Sequence, residues 1–317
     1  MVKAAKFLEG FSGKLGEQWI ASLMTPAFLF WLGGLLAASD RLGWQTLQNR
    51  FKALNLSEPE EIALLVFALI VVAVSGVVVE QFNFGMLRLL EGYWPRWLRF
   101  LRYPLQQRQQ RRWKSINQTF QRLSKKRRSG SLSAQERLDY ARASNLRRQF
   151  PTRLPANQSS DPLAHLMPTR LGNIIRVAED RPRERYGLET IACWPRLWLL
   201  LPESTQEELA AARSELNRSI LLWLWGLLFW IWQLWVWWAI PLGLVVMAVS
   251  YQWAIQAALI YGQLLEATFD VHRILLYNAL RWPLPENPVE ERTQGRLLSQ
   301  YLIAGSDRST PTFTPNA

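Results

Sequence analysis

Residues 219–265 read SILLWLWGLLFWIWQLWVWWAIPLGLVVMAVSYQWAIQAALIYGQLL. These 47 residues contain no Asp, Glu, Lys, Arg or His, and Arg218 and Glu266 close the run. A bilayer core about 30 Å thick takes roughly 20 apolar residues per helix, so the run is long enough to cross twice. Ile240-Pro241-Leu242-Gly243 lies near its middle. The pattern predicts a transmembrane hairpin over about 219–239 and 243–265, turning at 240–243.

The helices of this hairpin have no obvious reason to stop at the ends of the apolar run. Ser204-x-x-Glu207 has the spacing of a capping box, and no breaker follows it before Pro241. One helix from Thr205 to Ala239 would be about 52 Å long at 1.5 Å per residue. The other helix continues through EATFDVHRILLYNALRW as far as Pro283. The expectation is a pair of helical stalks beyond the bilayer. A last short helix, opened by Pro288, packs on them.

Upstream, residues 18–39 are uncharged and read as a first span, with Gly33-Gly34 as a bend. Residues 40–61 read as a loop. Pro59, Glu60 and Glu61 then open a second span over 62–79, because acidic side chains suit the positive end of a helix dipole. Ser75-Gly76 offers a place for close helix contact. Ala4, Phe7, Leu8, Phe11 and Leu15 recur at helical intervals among Lys3, Lys6 and Lys14. Residues 1–18 therefore read as a surface-lying amphipathic helix or as an extension of the first span. Glu9 and Glu17 spoil the layout of a secretory signal, so an uncleaved first span is expected.

The net charge of +12 is concentrated. Residues 80–218 hold 26 Lys+Arg against 13 Asp+Glu, and the rest hold 11 against 12. Arg88, Arg96, Arg99 and Arg102 follow the second span; Arg213 and Arg218 precede the third; Arg273 and Arg281 follow the fourth. The positive-inside rule then puts both termini and the 80–218 segment in the cytoplasm of an inner-membrane protein. The fold class expected is an all-α integral membrane protein. It has four transmembrane helices, long cytosolic helical extensions and a small juxtamembrane domain. Its parts are 1–81 (amphipathic segment and first two spans), 82–203 (basic segment and juxtamembrane unit), 204–282 (long hairpin) and 283–317 (last helix and a disordered tail).

Between the second and third spans, residues 82–103 interleave Trp94, Trp97, Phe100 and Tyr103 with Arg96, Arg99 and Arg102. Aromatic rings at headgroup depth beside arginines reaching for phosphates are interfacial chemistry. Residues 108–128 are strongly basic, and anionic lipid is the partner such a run beside a membrane helix usually takes. Nucleic acid is disfavoured, because no nucleic-acid-binding fold accompanies the charge. Ser133-x-x-Glu136 opens a helix to about Phe150, and 151–169 reads as a loop.

Within residues 168–202 the strings PTRLGN, AED, RYGLE and WPRLW occur in order, and residues 269–292 read FDVHRILLYNALRWPLPENPVEER. These two segments resemble a group of uncharacterised bacterial multi-pass membrane proteins. The resemblance implies architecture and no activity. Physically, Leu171, Ile174, Ile175, Val177 and Ala178 give one apolar side to a short helix, with Thr169 and Asn173 as caps. Arg170, Arg185 and Arg196 are candidates to hold an anionic group.

A second candidate is a polar stripe. Gln252, Gln256 and Gln263 share one helical face, which continues to Glu266 and Asp270. An antiparallel hairpin would bring Gln233 near Ser250 or Gln252. Two readings stand: interhelical hydrogen bonds, or a pore face built by several copies with Glu266 and Asp270 as an acidic ring. Seventeen tryptophans, seven of them between Trp223 and Trp238, read as interfacial belts and packing.

No enzyme is expected. The spans carry no ionisable residue, and GxxxxGK[ST], HExxH and CxxC are all missing. Cys193 is the single cysteine, which excludes an intrachain disulfide, and no cofactor or metal set is visible. Two functions compete, and a membrane-associated enzyme with a polar pocket near Arg170–Arg196 stands a distant third. One is a homo-oligomeric channel with its pore face on the fourth span. The other is a non-conducting scaffold that binds anionic lipids or a soluble protein partner.

Overall fold

The computed structural model describes residues 26–151, 166–305 and 312–313. The expected N-terminal amphipathic helix, the first third of the first span, most of the 151–169 loop with His165, and nearly all of the C-terminal tail lie outside these residues. Among the described residues the chain is entirely helical, as expected. Two helices are long and apolar enough to cross a membrane: Glu58–Gln81 and Ala239–Ala279. The chain divides into two compact units. One holds residues 26–86 and 218–252, the other 87–217 and 253–305.

In the first unit, α1 (Pro26–Leu42) begins with a proline, whose missing N–H is not needed at that position. It runs without interruption through Gly33-Gly34. The pair serves close approach. A Cβ on Gly33 would overlap the Phe229 ring, and one on Gly34 would overlap the Trp232 ring. Helix α2 (Trp44–Ala53) lies inside the stretch read as a loop. WQTLQNRFKA contains no breaker and is rich in good helix formers, and that outweighs its polarity. Helix α3 (Glu58–Gln81) starts where its acidic turn predicts, with a Ser57/Glu60 capping box. Its most apolar window has a mean hydropathy of 3.2 and no buried residue. Such a helix has the length and composition of a membrane span and contributes little to a protein core. Ser75-Gly76 does permit close contact: Trp31 Nε1 donates to Ser75 Oγ at 3.1 Å, and Gly76 faces Ala27.

The second half of this unit departs from expectation. The helix entering it, Glu203–Leu228, ends well short of Ala239. Phe229–Leu234 then winds as a 3-10 helix, and the next α-helix starts at Ala239. The turn therefore falls at residues 235–238. Ile240-Pro241-Leu242-Gly243 forms the first turn of the following helix, where a proline breaks no intrahelical bond. The 3-10 winding eclipses residues three apart, aligning Phe229, Trp232 and Trp235. Trp232 meets Phe30 at 5.1 Å, Trp31 at 6.1 Å and Trp235 at 5.6 Å between ring centroids. Gly226 and Gly243 let the two helices of this hairpin touch, since a Cβ on Gly243 would meet the Trp230 ring and the Gly226 carbonyl.

In the second unit, α4 (Asn83–Glu91) ends the apolar entry, and α5 (Arg99–Arg128) follows a 3-10 turn. Helix α6 (Ala134–Arg147) carries the expected Ser133/Glu136 box and folds back on α5, with Phe120 stacked on Tyr140 at 5.3 Å. Helix α7 (Arg170–Tyr186) is capped by Thr169, whose Oγ1 accepts from Gly172 N at 3.0 Å. Its predicted apolar side is buried: Leu171, Ile174, Ile175, Val177 and Ala178. Gly187, at φ +74°, ends it in the left-handed conformation that glycine adopts most easily. Helices α8 (Thr190–Trp198), α9 (Glu203–Leu228), α10 (Ala239–Ala279) and α11 (Pro288–Ala304) complete the chain. Helix α9 starts at Glu203, so Ser204 lies inside it rather than capping it. Leu188, Cys193, Leu197, Leu209, Phe269, Leu276 and Leu298 form the core of this unit. Helix α11 packs mainly on α7 and α8, with Glu291 reaching Arg273 of α10, whereas the sequence put it on the two stalks. Gly295 sits against the Tyr186 carbonyl too closely for a side chain.

Candidate functional site

The polar stripe splits into two chemically different parts. Gln233, Gln252, Gln256 and Gln263 are all exposed. Among the described residues none of these four amides makes a hydrogen bond. Gln233 does not reach Ser250, whose hydroxyl is turned back on its own helix, donating to Val246 O at 2.7 Å. The early end of α9 explains this. Gln233 lies in the 3-10 segment, out of the register that a continuous helix would give it.

Glu266 and Asp270, the acidic end of the stripe, are occupied. Arg185 of α7 forms an ion pair with Glu266, and its Nη1 lies 3.1 Å from Asp270 Oδ2. Tyr186 donates its hydroxyl hydrogen to Asp270 Oδ1 at 2.6 Å. Arg273 crosses the Tyr186 ring at 4.3 Å, bonds the Asp270 carbonyl, and reaches Glu291 of α11 at 2.6 Å. One network thus ties α7, α10 and α11. Burial works against the Arg185 charge, but Glu266 and Asp270 outweigh it and hold the guanidinium above its ordinary pKa.

The other arginines singled out from sequence do not converge. Arg170 Nε donates to Gln149 Oε1 at 3.2 Å, and Arg196 Nη1 to the carbonyl of Ala192 on its own helix at 2.7 Å. Arg96 and Arg99 fall in the 3-10 turn and at the start of α5; Arg102 is exposed on α5. Around them Trp97, Phe100 and Tyr103 are 72%, 70% and 58% exposed. Helix α5 carries eleven Lys and Arg residues and no acid.

Sequence reading missed a buried carboxyl. Glu91, the last residue of α4, is only 6% exposed, with Arg88 Nη1 3.5 Å from its carboxylate. Burial pushes its pKa up to about 7; Arg88 and Arg213 oppose the rise and Glu179 adds to it. Glu179, an exposed residue of α7, is raised in the same direction by partial desolvation of its carboxyl. Arg213 lies over the Tyr261 ring at 5.3 Å, beside both acids in the electrostatic sense. The backbone fixes Glu91 in place. Thr169 Oγ1 donates to its carbonyl at 2.9 Å, and Gly172 presses on the same oxygen. The Asn173 amide in turn holds Met167 N and O at 2.9 Å each. A signal was present in the chain: Arg88 and Glu91 are the only charges between residues 82 and 95. What it did not give was the partner, which comes from a helix far along the sequence.

The arrangement offers a carboxyl that titrates near neutrality, without the nucleophile and base of a hydrolytic site. Cys193 is fully buried, 3.8 Å from Ser299 Oγ, and burial pushes its thiol up to about 11. That is the opposite of an activated thiol. Among the described residues no cluster of His, Cys, Asp and Glu could hold a metal ion. Compared with protein families, with characterised proteins and with solved structures, the chain matches none.

Proposed function

We propose that this is a non-enzymatic, multi-pass inner-membrane scaffold whose basic cytosolic helices hold anionic lipid headgroups. The four spans are α1, α3, the apolar end of α9 with its 3-10 continuation, and the first half of α10. Positive-inside orientation puts α5 to α8 and α11 in the cytoplasm. The observation that carries the reading is the exposure of Trp97, Phe100 and Tyr103 beside Arg102, just after the apolar helices and at the head of the eleven-cation α5. Water is a poor medium for three large exposed rings, and headgroups are a good one. Cations next to such an anchor gain about 1 kcal/mol each from an anionic surface.

The test uses Phe100→Cys in the full chain, labelled with an environment-sensitive fluorophore. Cys193 is buried and stays unlabelled in the folded protein. In nanodiscs containing phosphatidylglycerol the emission shifts to the blue and resists aqueous quenchers. In nanodiscs of phosphatidylcholine alone the shift is smaller. Water-like emission in both would sink the reading.

A homo-oligomeric channel is the second reading, favoured by one observation: Gln252, Gln256 and Gln263 on α10 are exposed and lack hydrogen-bond partners among the described residues. Amides in hydrocarbon seek partners, and a second copy or a water-filled axis would supply them. The acidic ring that such a pore would use is engaged by Arg185 instead. Single-channel recording of purified protein decides. A conductance that changes with Gln256→Leu supports the channel, and silence across conditions removes it.

A further inference from the structure

Helices α5, α6 and α7 line a half-open pocket of about 210 Å³ that includes Trp113, Phe120, Ser144, Arg147, Arg148 and Arg181. By liquid-water volume that is on the order of seven molecules, enough for one compact polar group and the beginning of an organic substituent. Three guanidiniums meet there. Among the described residues none of the three has a carboxylate partner. The nearest acid in sequence, Asp180, is taken by Arg176 at 3.7 Å and Arg183 at 3.6 Å. The C-terminal end of α6 supplies only about half a negative charge. Among the described residues, then, little offsets the threefold positive charge of the pocket.

Two of the three arginines show more than charge. Arg181 Nε is buried and makes no hydrogen bond among the described residues. A buried charged donor without an acceptor costs stability and marks a place where one belongs. Arg147 lies over the Phe120 ring at 4.6 Å. A cation–π contact of this kind orients the guanidinium and leaves its N–H edge available. Ser144 adds a hydroxyl, and Trp113 and Phe120 form an apolar side wall.

We infer that this pocket binds a phosphate monoester, with Arg147, Arg148 and Arg181 around the phosphate and the aromatic wall against its organic part. A monoester carries nearly two negative charges at neutral pH and three terminal oxygens, which matches three guanidiniums better than a carboxylate or a phosphodiester does. The ester can come from a soluble compound or from a lipid whose headgroup is a bare phosphate. The site goes beyond the interfacial reading above. None of its lining residues falls within 93–103, so either can fail without the other.

The test takes the full chain in phosphatidylcholine nanodiscs. One arm titrates inorganic phosphate by calorimetry. The other exchanges in phosphatidic acid or phosphatidylglycerol and counts retained lipid by native mass spectrometry. Saturable phosphate binding points to a soluble ligand; selective retention of phosphatidic acid points to the lipid. In either case Arg147→Ala and Arg181→Ala weaken binding at least tenfold. Arg50→Ala, an exposed charge on α2 outside both the pocket and the basic cytosolic helices, leaves it unchanged. Arg148 is exposed, so Arg148→Ala keeps the fold and still reports on the site if the other variants do not accumulate. No saturable binding in either arm, or an equal loss in Arg50→Ala, overturns the assignment.

Discussion

Arg185 Nη1 stands 3.1 Å from Asp270 Oδ2, and the same carboxylate accepts the Tyr186 hydroxyl at 2.6 Å. The side chains of Arg185 and Asp270 are 41% and 37% exposed, so water screens the pair. A double-mutant cycle between Arg185→Ala and Asp270→Asn should give a coupling of about 1 kcal/mol or less, falling as salt rises. Tyr186→Phe should add a further loss, because the hydroxyl is half-buried and would leave Asp270 short of a donor. A coupling that is large and indifferent to salt would show the network to be drier than its exposure implies.

Gly172 is held to hydrogen as a side chain by the Glu91 carbonyl pressed against it. Gly172→Ala should destabilise the fold by about 1–3 kcal/mol, because backbone on both sides must move. Gly85, with nothing near its missing Cβ, is the control. Gly85→Ala should be neutral or stabilise by about 0.5 kcal/mol through the unfolded chain. Thermal midpoints in one detergent compare the two, and equal midpoints would contradict the packing at Gly172.

Glu91 makes stability depend on pH in a defined direction. Its folded pKa, about 7, is above the ordinary 4.5, so the folded chain binds the proton more tightly. Its contribution is fully present below pH 4.5 and is lost as pH rises through 7, on the order of 3 kcal/mol over that window. Glu179 acts in the same sense. Glu91→Gln should flatten the decline between pH 5 and 7.5 in a series of thermal midpoints. An unchanged slope in the variant would assign the dependence elsewhere.

Trp31 Nε1 and Ser75 Oγ, 3.1 Å apart, join α1 to α3. In a membrane such bonds contribute about 0.6 kcal/mol on average, so Ser75→Ala should cost roughly that much. Ser75→Leu should cost more, because it adds bulk where Gly76 lies against Ala27. Unfolding in bicelles measures both, and a leucine variant as stable as wild type would argue against tight packing of these two helices.

What could be read from the chain was what is encoded locally. Pro59 with Glu60, Ser133 with Glu136, Thr169 with its apolar helix, and Pro288 each carry their own start signal, and each stands where the signal puts it. The end of α9 at Leu228 is marked only by Gly226 in its last turn, a weak signal inside an apolar run. Gly33 and Gly34 receive the Phe229 and Trp232 rings that follow it, a contact made far along the chain. Helix α2 was hidden by its polarity, since a hydrophobicity count sees only a gap between spans. The stripe on α10 was legible as a face, but its acids belong to Arg185 and its neighbours, a pairing that helical spacing cannot reveal.

The 3-10 winding of Phe229–Leu234 also changes how far the tryptophan-rich run can reach. Residues 219–234, ten of them α-helical and six 3-10, extend roughly 27 Å; wound wholly as α-helix they would extend about 24 Å. Against an apolar layer about 30 Å thick, the first falls short by roughly a tenth and the second by a fifth. Tighter coiling lengthens this segment without adding a residue.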